Sequence, residues 1–282
     1  MNSNQEIFLK LSPKLIKYSD PQEFHFYSSQ NNEIYKSKNI FHLYDPAIDS
    51  TFKYLFQEER MKVLEDMLNS LLFPENPQLS IEAILDKEIV RPNKLYCKGT
   101  IRSDLVCKAR LNGATIIFGI EMQIGIDGDF SKRLFQYSVG LSNKYGYENS
   151  WINAFFINTN KQPKCSKSIK LIENENGKEN ELEFLKIIEI DPREEIKKIN
   201  NEEDVLINGK KLHKKGKEWL KLLGLRTWCP KEDGKFILPK DYILSSNIYF
   251  NQVVNALEDI PVLLGIDAMN YEEEEKIYKK CI

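Results

Sequence analysis

An α/β chain of the α+β kind, with a mixed central sheet flanked by helices, is the fold class this sequence predicts. Three observations carry it. Phe52, Leu55, Phe56, Val63, Leu64, Met67, Leu68 and Leu71 recur at helical spacing. Two β-rich runs, Ile101–Cys107 and Ala114–Ile124, flank an Asn112-Gly113 pair, a strong hairpin signal. Phe130, Leu134, Tyr137 and Leu141 then mark a second helical face, followed by the apolar run Trp151–Ile157. With a strand from Leu79 to Val90, the core order reads αβββαβ.

Each element has its local reason. Asp49 or Ser50 is placed to cap a helix reaching to about Leu72, and Pro74 and Pro77 end it. Arg91-Pro92-Asn93 stops the strand that follows. Gly125 to Gly128 reads as a turn, and the second helix ends near Gly146. Residues 159–182 are polar, with Pro163, Gly177 and many Lys, Glu and Asn, and read as a surface loop or insertion. Leu185–Ile190 reads as a strand. A helix carrying Trp219, Leu220, Leu222 and Leu223 follows, then helices over Tyr242–Leu257 and Tyr271–Tyr278. Leu9, Leu11, Leu15 and Ile16 suit a short helical turn, and Ser37 to Tyr44 an extended lead-in. The organisation expected is an N-terminal extension over 1–44, a core over 45–192 and a mainly helical extension over 193–282.

Bulk properties narrow the function. The chain has 282 residues and a net charge of −2, so nucleic-acid binding must use local patches rather than a global basic field. Its five cysteines include no Cys-x-x-Cys pair, which argues against a zinc site and for reduced thiols. Neither a signal peptide nor a membrane-length apolar run is read. An intracellular protein, nuclear or cytoplasmic and without membrane partners, is expected.

Chemistry concentrates on the hairpin. Glu121 and Gln123 are two apart and share a strand face, and the turn can bring Asp104 beside Glu121. Two carboxylates in an apolar sheet are costly to bury without a cation. A hard ion such as Mg²⁺, or Mn²⁺, takes oxygen ligands. Solvated strand-end carboxylates are the plainer reading.

Asp49-Ser-Thr-Phe-Lys-Tyr-Leu-Phe56, Leu68-Asn-Ser-Leu-Leu72, Arg102-Ser-Asp104, Ile120-Glu-Met-Gln123 and Phe130-Ser-Lys-Arg-Leu-Phe-Gln-Tyr137 together resemble the PD-(D/E)XK nuclease superfamily. The resemblance is to its Rpn-like "PD-(D/E)XK nuclease family transposase" branch. The motifs stand in family order over roughly residues 45–160. The resemblance implies a restriction-endonuclease-like core and Mg²⁺-dependent DNA cleavage. It assigns the metal to Asp104 and Glu121. Gln123 takes the place where many members carry a lysine, and the end of the first helix, with Asp49 and Lys53, comes near the metal.

Asp49 and Lys53 also fit a simple i,i+4 ion pair. Arg133, one turn before Tyr137, can clamp a phosphate or merely stack on that ring. Lys210, Lys211, Lys214, Lys215 and Lys217 form one dense basic run around His213. Lys211, Lys214 and Lys215 are its candidate phosphate contacts, against the plainer reading of a solvated face. DNA is the expected partner, with RNA not separable from it. A homodimer or larger complex is also compatible. The competing function is a catalytically inactive nuclease-fold subunit serving as a structural or interaction component.

Overall fold

A computed structural model describes residues 40–75, 78–85, 88–90, 100–102, 104–124, 130–145, 150–158, 167–175, 178–239 and 247–260. The chain divides into Met1–Ile40 and Phe41–Ile282, and all described elements lie in the second unit apart from Ile40. The expected turns at 9–16 and 125–128 and the helix Tyr271–Tyr278 fall outside the described residues.

After β1 (Ile40–Leu43), the apolar stripe forms two helices, α1 (Asp49–Leu55) and α2 (Met61–Leu72), with a 3-10 turn at Glu58–Arg60. This corrects the single helix expected. Continuing the stripe through one rod would bury Glu59, so the chain turns there instead. Arg60 Nη1 donates to the Tyr54 carbonyl at 2.6 Å, occupying a carbonyl at the break. The residues of the stripe are all buried. Ile48, rather than Asp49 or Ser50, is the N-cap of α1 and makes no side-chain cap bond.

Among the described residues the main sheet has six strands in the order β2-β5-β6-β7-β9-β8. Its members are β2 (Ser80–Leu85), β5 (Leu105–Leu111), β6 (Ala114–Ile124), β7 (Ser150–Asn158), β8 (Lys167–Glu175) and β9 (Lys178–Ile190). β2, β5 and β6 form an antiparallel meander. β7 lies parallel to β6, and β9 parallel to β7. The sheet is therefore mixed, as expected. The helix α3 (Phe130–Tyr145) connects β6 to β7, giving the two parallel strands the helical crossover they need.

Three expectations for strands are corrected. The run Leu79–Val90 is split between β2 and β3 (Glu88–Val90), which pairs with β4 (Thr100–Arg102) in a separate two-stranded sheet. Ile101 consequently lies on β4. The hairpin partner of β6 is Leu105–Leu111, with Asp104 in a bend between β4 and β5. Residues 167–175 and 178–182, expected as loop, are paired strands. Only Asn176 and Gly177 separate β8 from β9, the same turn signal as Asn112-Gly113, here obscured by polar composition.

Both sheet faces are covered. Val106, Ile117 and Leu141 are buried together, with Leu85, Tyr137 and Tyr145 against them, so α3 covers the face that carries Ile117 and, by alternation, Glu121. On the other face Leu105, Cys107, Ala109, Phe118 and Ile120 are buried.

Beyond β9 come α4 (Pro192–Asn200), β10 (Leu206–Ile207), β11 (Lys210–Lys211), α5 (Lys214–Leu223), α6 (Leu225–Trp228), β12 (Lys231–Glu232), β13 (Lys235–Pro239) and α7 (Ile248–Glu258). α4 went unread although Asp191 caps it and Pro192 opens it. The helix expected from Tyr242 begins, among the described residues, at Ile248. α5 and α7 pack on α2. Asp66 of α2 is the joint. Its Oδ2 accepts from Trp219 Nε1 at 3.0 Å and Asn247 Nδ2 at 2.7 Å, and Oδ1 lies 3.7 Å from Lys215 Nζ. Asn247 also caps α7, accepting from the Tyr249 amide.

Candidate active site

The site begins with the approach to α1. Asp45 is buried, accepts the Ala47 amide at 2.8 Å and is ion-paired with Arg226 of α6. A buried ion pair with an added backbone bond holds its geometry tightly. Phe52 and Leu55 then bury one side of α1 completely. Asp49 and Lys53 therefore project from a helix that is fixed at both its entry and its inner face.

Lys53 Nζ is 2.5 Å from Asp49 Oδ1 and 3.6 Å from Asp104 Oδ1. The pair on α1 is thus an ion pair of the expected spacing, and it also reaches a third residue some fifty positions away. The Asp49 carboxylate also lies close enough to Asp104 to raise its proton affinity.

Asp104 sits where β5 meets the preceding bend. The β5–β6 register pairs Leu105 with Ile120, so one further step sets Asp104 opposite Glu121, on the same face. Asp104 Oδ2 accepts the Met122 amide at 2.8 Å, and the Asp104 amide donates to Glu121 Oε1 at 3.3 Å. Side chain and backbone thus lock the strand end to β6. Glu121 is buried at 8% exposure. Gln123, on the same face, turns its Nε2 to the Ile124 carbonyl at 3.2 Å.

The electrostatics are unusual for an aspartate. Burial pushes the Asp104 carboxyl up to about 7, and the neighbouring Asp49 carboxylate pushes the same way, against the Met122 amide and Lys53. A buried carboxyl beside a second one is held protonated near neutrality.

The donor set consists of carboxylate oxygens. Among the described residues, no group of three or more His, Cys, Asp or Glu side chains is placed to hold a metal ion. Mg²⁺ usually takes only one or two carboxylates and keeps several waters, so Asp104 and Glu121 fit a hard divalent ion by chemistry and number.

The remaining candidates lie elsewhere. Arg133 falls on α3, with its side chain outside those described. Lys211 is 2.7 Å from Asp204, Lys215 faces Asp66, and Lys214 is exposed at the start of α5. α5 meets the C-terminal end of α2, where a Cβ on Gly216 would come 2.5 Å from the Ser70 carbonyl. Asn69 there holds both backbone groups of Leu79, beside Ser80, whose partner Arg110 is at the far end of β5 from Leu105. The lysine run therefore sits toward the sheet end opposite Asp104. Sequence reading missed the Met122 amide, a product of strand register.

Among the described residues no helix is long and apolar enough to cross a membrane. Compared with protein-family models, curated proteins and solved structures, the chain matches none of them.

Proposed function

We propose that this chain is a metal-dependent endonuclease that hydrolyses phosphodiester bonds in DNA, of the Rpn-like, transposase-associated type. The observation that carries the reading is the convergence of Asp49 and Lys53 from α1, Asp104 from the start of β5 and Glu121 from β6. The order α, β-meander, α, parallel β supports a restriction-endonuclease-like core.

Asp104 and Glu121 would hold Mg²⁺ or Mn²⁺. When bound, the ion supplies Lewis acidity and an acidified water. Asp104, fixed by the Met122 amide through Oδ2, orients its other oxygen beside Lys53. Lys53 provides the positive charge that a lysine at position 123 supplies elsewhere in the superfamily, where Gln123 can only orient by hydrogen bonds. Asp49 holds the Lys53 ammonium and, as a neighbouring negative charge, favours the protonated form of Asp104. Burial of Glu121 limits bulk water at the sheet face, which strengthens each of these interactions.

The test is incubation of plasmid DNA with the protein and Mg²⁺ or Mn²⁺, with EDTA as control and single-stranded RNA as a second substrate. Cleavage lost in Asp104→Ala and in EDTA supports the reading. No cleavage of either substrate with any divalent ion would favour the second reading, an inactive nuclease-fold subunit in a larger complex. The ion pairs that already occupy Lys211 and Lys215 favour that alternative.

A further inference from the structure

We propose that β8 is a self-association edge, pairing antiparallel with β8 of a second copy so that two six-stranded sheets continue as one. Among the described residues β8 is the terminal strand of its sheet, and none pairs with its outer edge. β7 pairs with β9 only over Leu185–Ile190. β8 and β9 stay paired further, from Leu171↔Leu182 to Glu175↔Lys178. That part is a two-stranded ribbon, an arrangement marginal on its own in water. An open strand edge is a template for another chain. The opposite edge, β2, is shorter, carries the extra residue of a register shift between Ile81 and Ala83 and lies along α2, features that blunt an edge. The β8–β9 pairing also shifts register, between Lys170 and Leu171, but its extra residues, 183–185, are on β9, and β8 runs unbroken over Lys167–Glu175.

The β8 sequence fits itself. It reads Lys167-Ser-Ile-Lys-Leu-Ile-Glu-Asn-Glu175, with lysines in its first half and glutamates at its end. In a two-fold antiparallel pair, facing residues must share a sheet face, so the axis passes through a residue that faces its own counterpart. Centring on Leu171 sets Lys167 opposite the second copy's Glu175 at both ends, with Ser168 opposite Asn174, Ile169 opposite Glu173, Lys170 opposite Ile172 and leucine opposite leucine in the middle. Centring on Lys170 or Glu173 opposes like charges, and centring on Ile172 leaves no lysine opposite a glutamate. Opposite-charge and apolar cross-strand pairs stabilise a sheet, and like charges directly opposite destabilise it. The occupant of this edge is therefore another copy of the chain in that one register.

Sedimentation equilibrium of the full chain at micromolar concentration tests it, with an expected mass twice the 33.0 kDa of one chain. Leu171→Lys brings two ammonium groups together at the axis and should weaken the dimer at least about tenfold. Leu171→Cys provides a second readout that survives even if the lysine variant misfolds. Facing residues in an antiparallel pair lie about 4.5–5.5 Å apart at Cα, within disulfide reach. Mild oxidation should then link two chains covalently, while Ser168→Cys, which faces Asn174 of the second copy, should give no more linkage than the wild type. A monomeric wild type overturns the proposal. So does a dimer in which Leu171→Cys links no better than Ser168→Cys.

Discussion

Asp104 accepts the Met122 amide through Oδ2 at 2.8 Å while its other oxygen, Oδ1, stands 3.6 Å from Lys53 Nζ. One carboxylate is thereby tied to a strand and to a helix that sequence alone keeps apart. Its burial and its contact with Asp49 make it a proton-binding site near neutrality, with consequences for stability and for activity.

Metal-free stability should fall as pH rises toward and through about 7. The Asp104 carboxyl titrates near 3.8 in the unfolded chain and near 7 in the folded one. The folded state therefore binds more protons between those values, so this group's stabilisation is full below about 4 and is lost on going above 7. Asp104→Asn removes the dependence. Melting curves in EDTA should show this variant more stable than wild type at pH 8, with the gap narrowing toward pH 5. Parallel curves across that range would remove the raised proton affinity assigned to Asp104.

Divalent ions should reverse the pattern. Ligand carboxyls must lose their protons to bind a metal, so Mg²⁺ or Mn²⁺ should raise the wild-type melting temperature more at pH 8 than at pH 5.5. The rise follows the concentration of ion relative to its dissociation constant. Glu121→Gln should abolish it. An equal shift in that variant would place the ion elsewhere.

Lys53→Met should lower kcat for DNA cleavage by about 10²–10³-fold, the scale of losing one positioned electrostatic group, with little change in KM. It also removes the cation that opposes protonation of Asp104, so the rising limb of the pH–rate profile should move to higher pH. Lys53→Arg should recover part of the rate. Unchanged kcat and pH profile in Lys53→Met would reduce the residue to a surface ion pair with Asp49.

Replacing Lys211, Lys214 and Lys215 together by Gln should leave DNA affinity and its salt dependence close to wild type. Two of the three already face Asp204 and Asp66, and the run sits toward the sheet end away from Asp104. Each true phosphate contact contributes about 0.9 to the log–log salt slope. A slope shallower by about 2 or more would return these lysines to the interface.

Asp66→Ala should destabilise the fold by about 2–4 kcal/mol, since the Trp219 and Asn247 donors would be left without their shared acceptor. Chemical denaturation should show a lower midpoint, with α5 and α7 losing hydrogen-exchange protection first. Ordinary protection in both helices would mean that apolar packing alone holds them to α2.

Much of the core was legible because its signals are local. Alternation in β6 set Glu121 and Gln123 on one face, and Asn112-Gly113 set the turn. Trp219, Leu220, Leu222 and Leu223 marked α5, and all are buried. Polar composition misled over 167–182, because strand pairing at a sheet edge demands backbone partners more than apolar side chains. Asp191-Pro192 marked the start of α4 and was overlooked.

The sequence by itself determined the period of each main element, the hairpin turn and hence the placement of Asp104 opposite Glu121, because these depend on residues close along the chain. Tertiary structure decided the break at Glu58–Arg60, the reach of Lys53 to Asp104, the raised proton affinity of that aspartate and the placement of the lysine run near the other sheet end. Those depend on which surfaces are buried together, and burial is a property of the whole packed unit, not of any local stretch of residues.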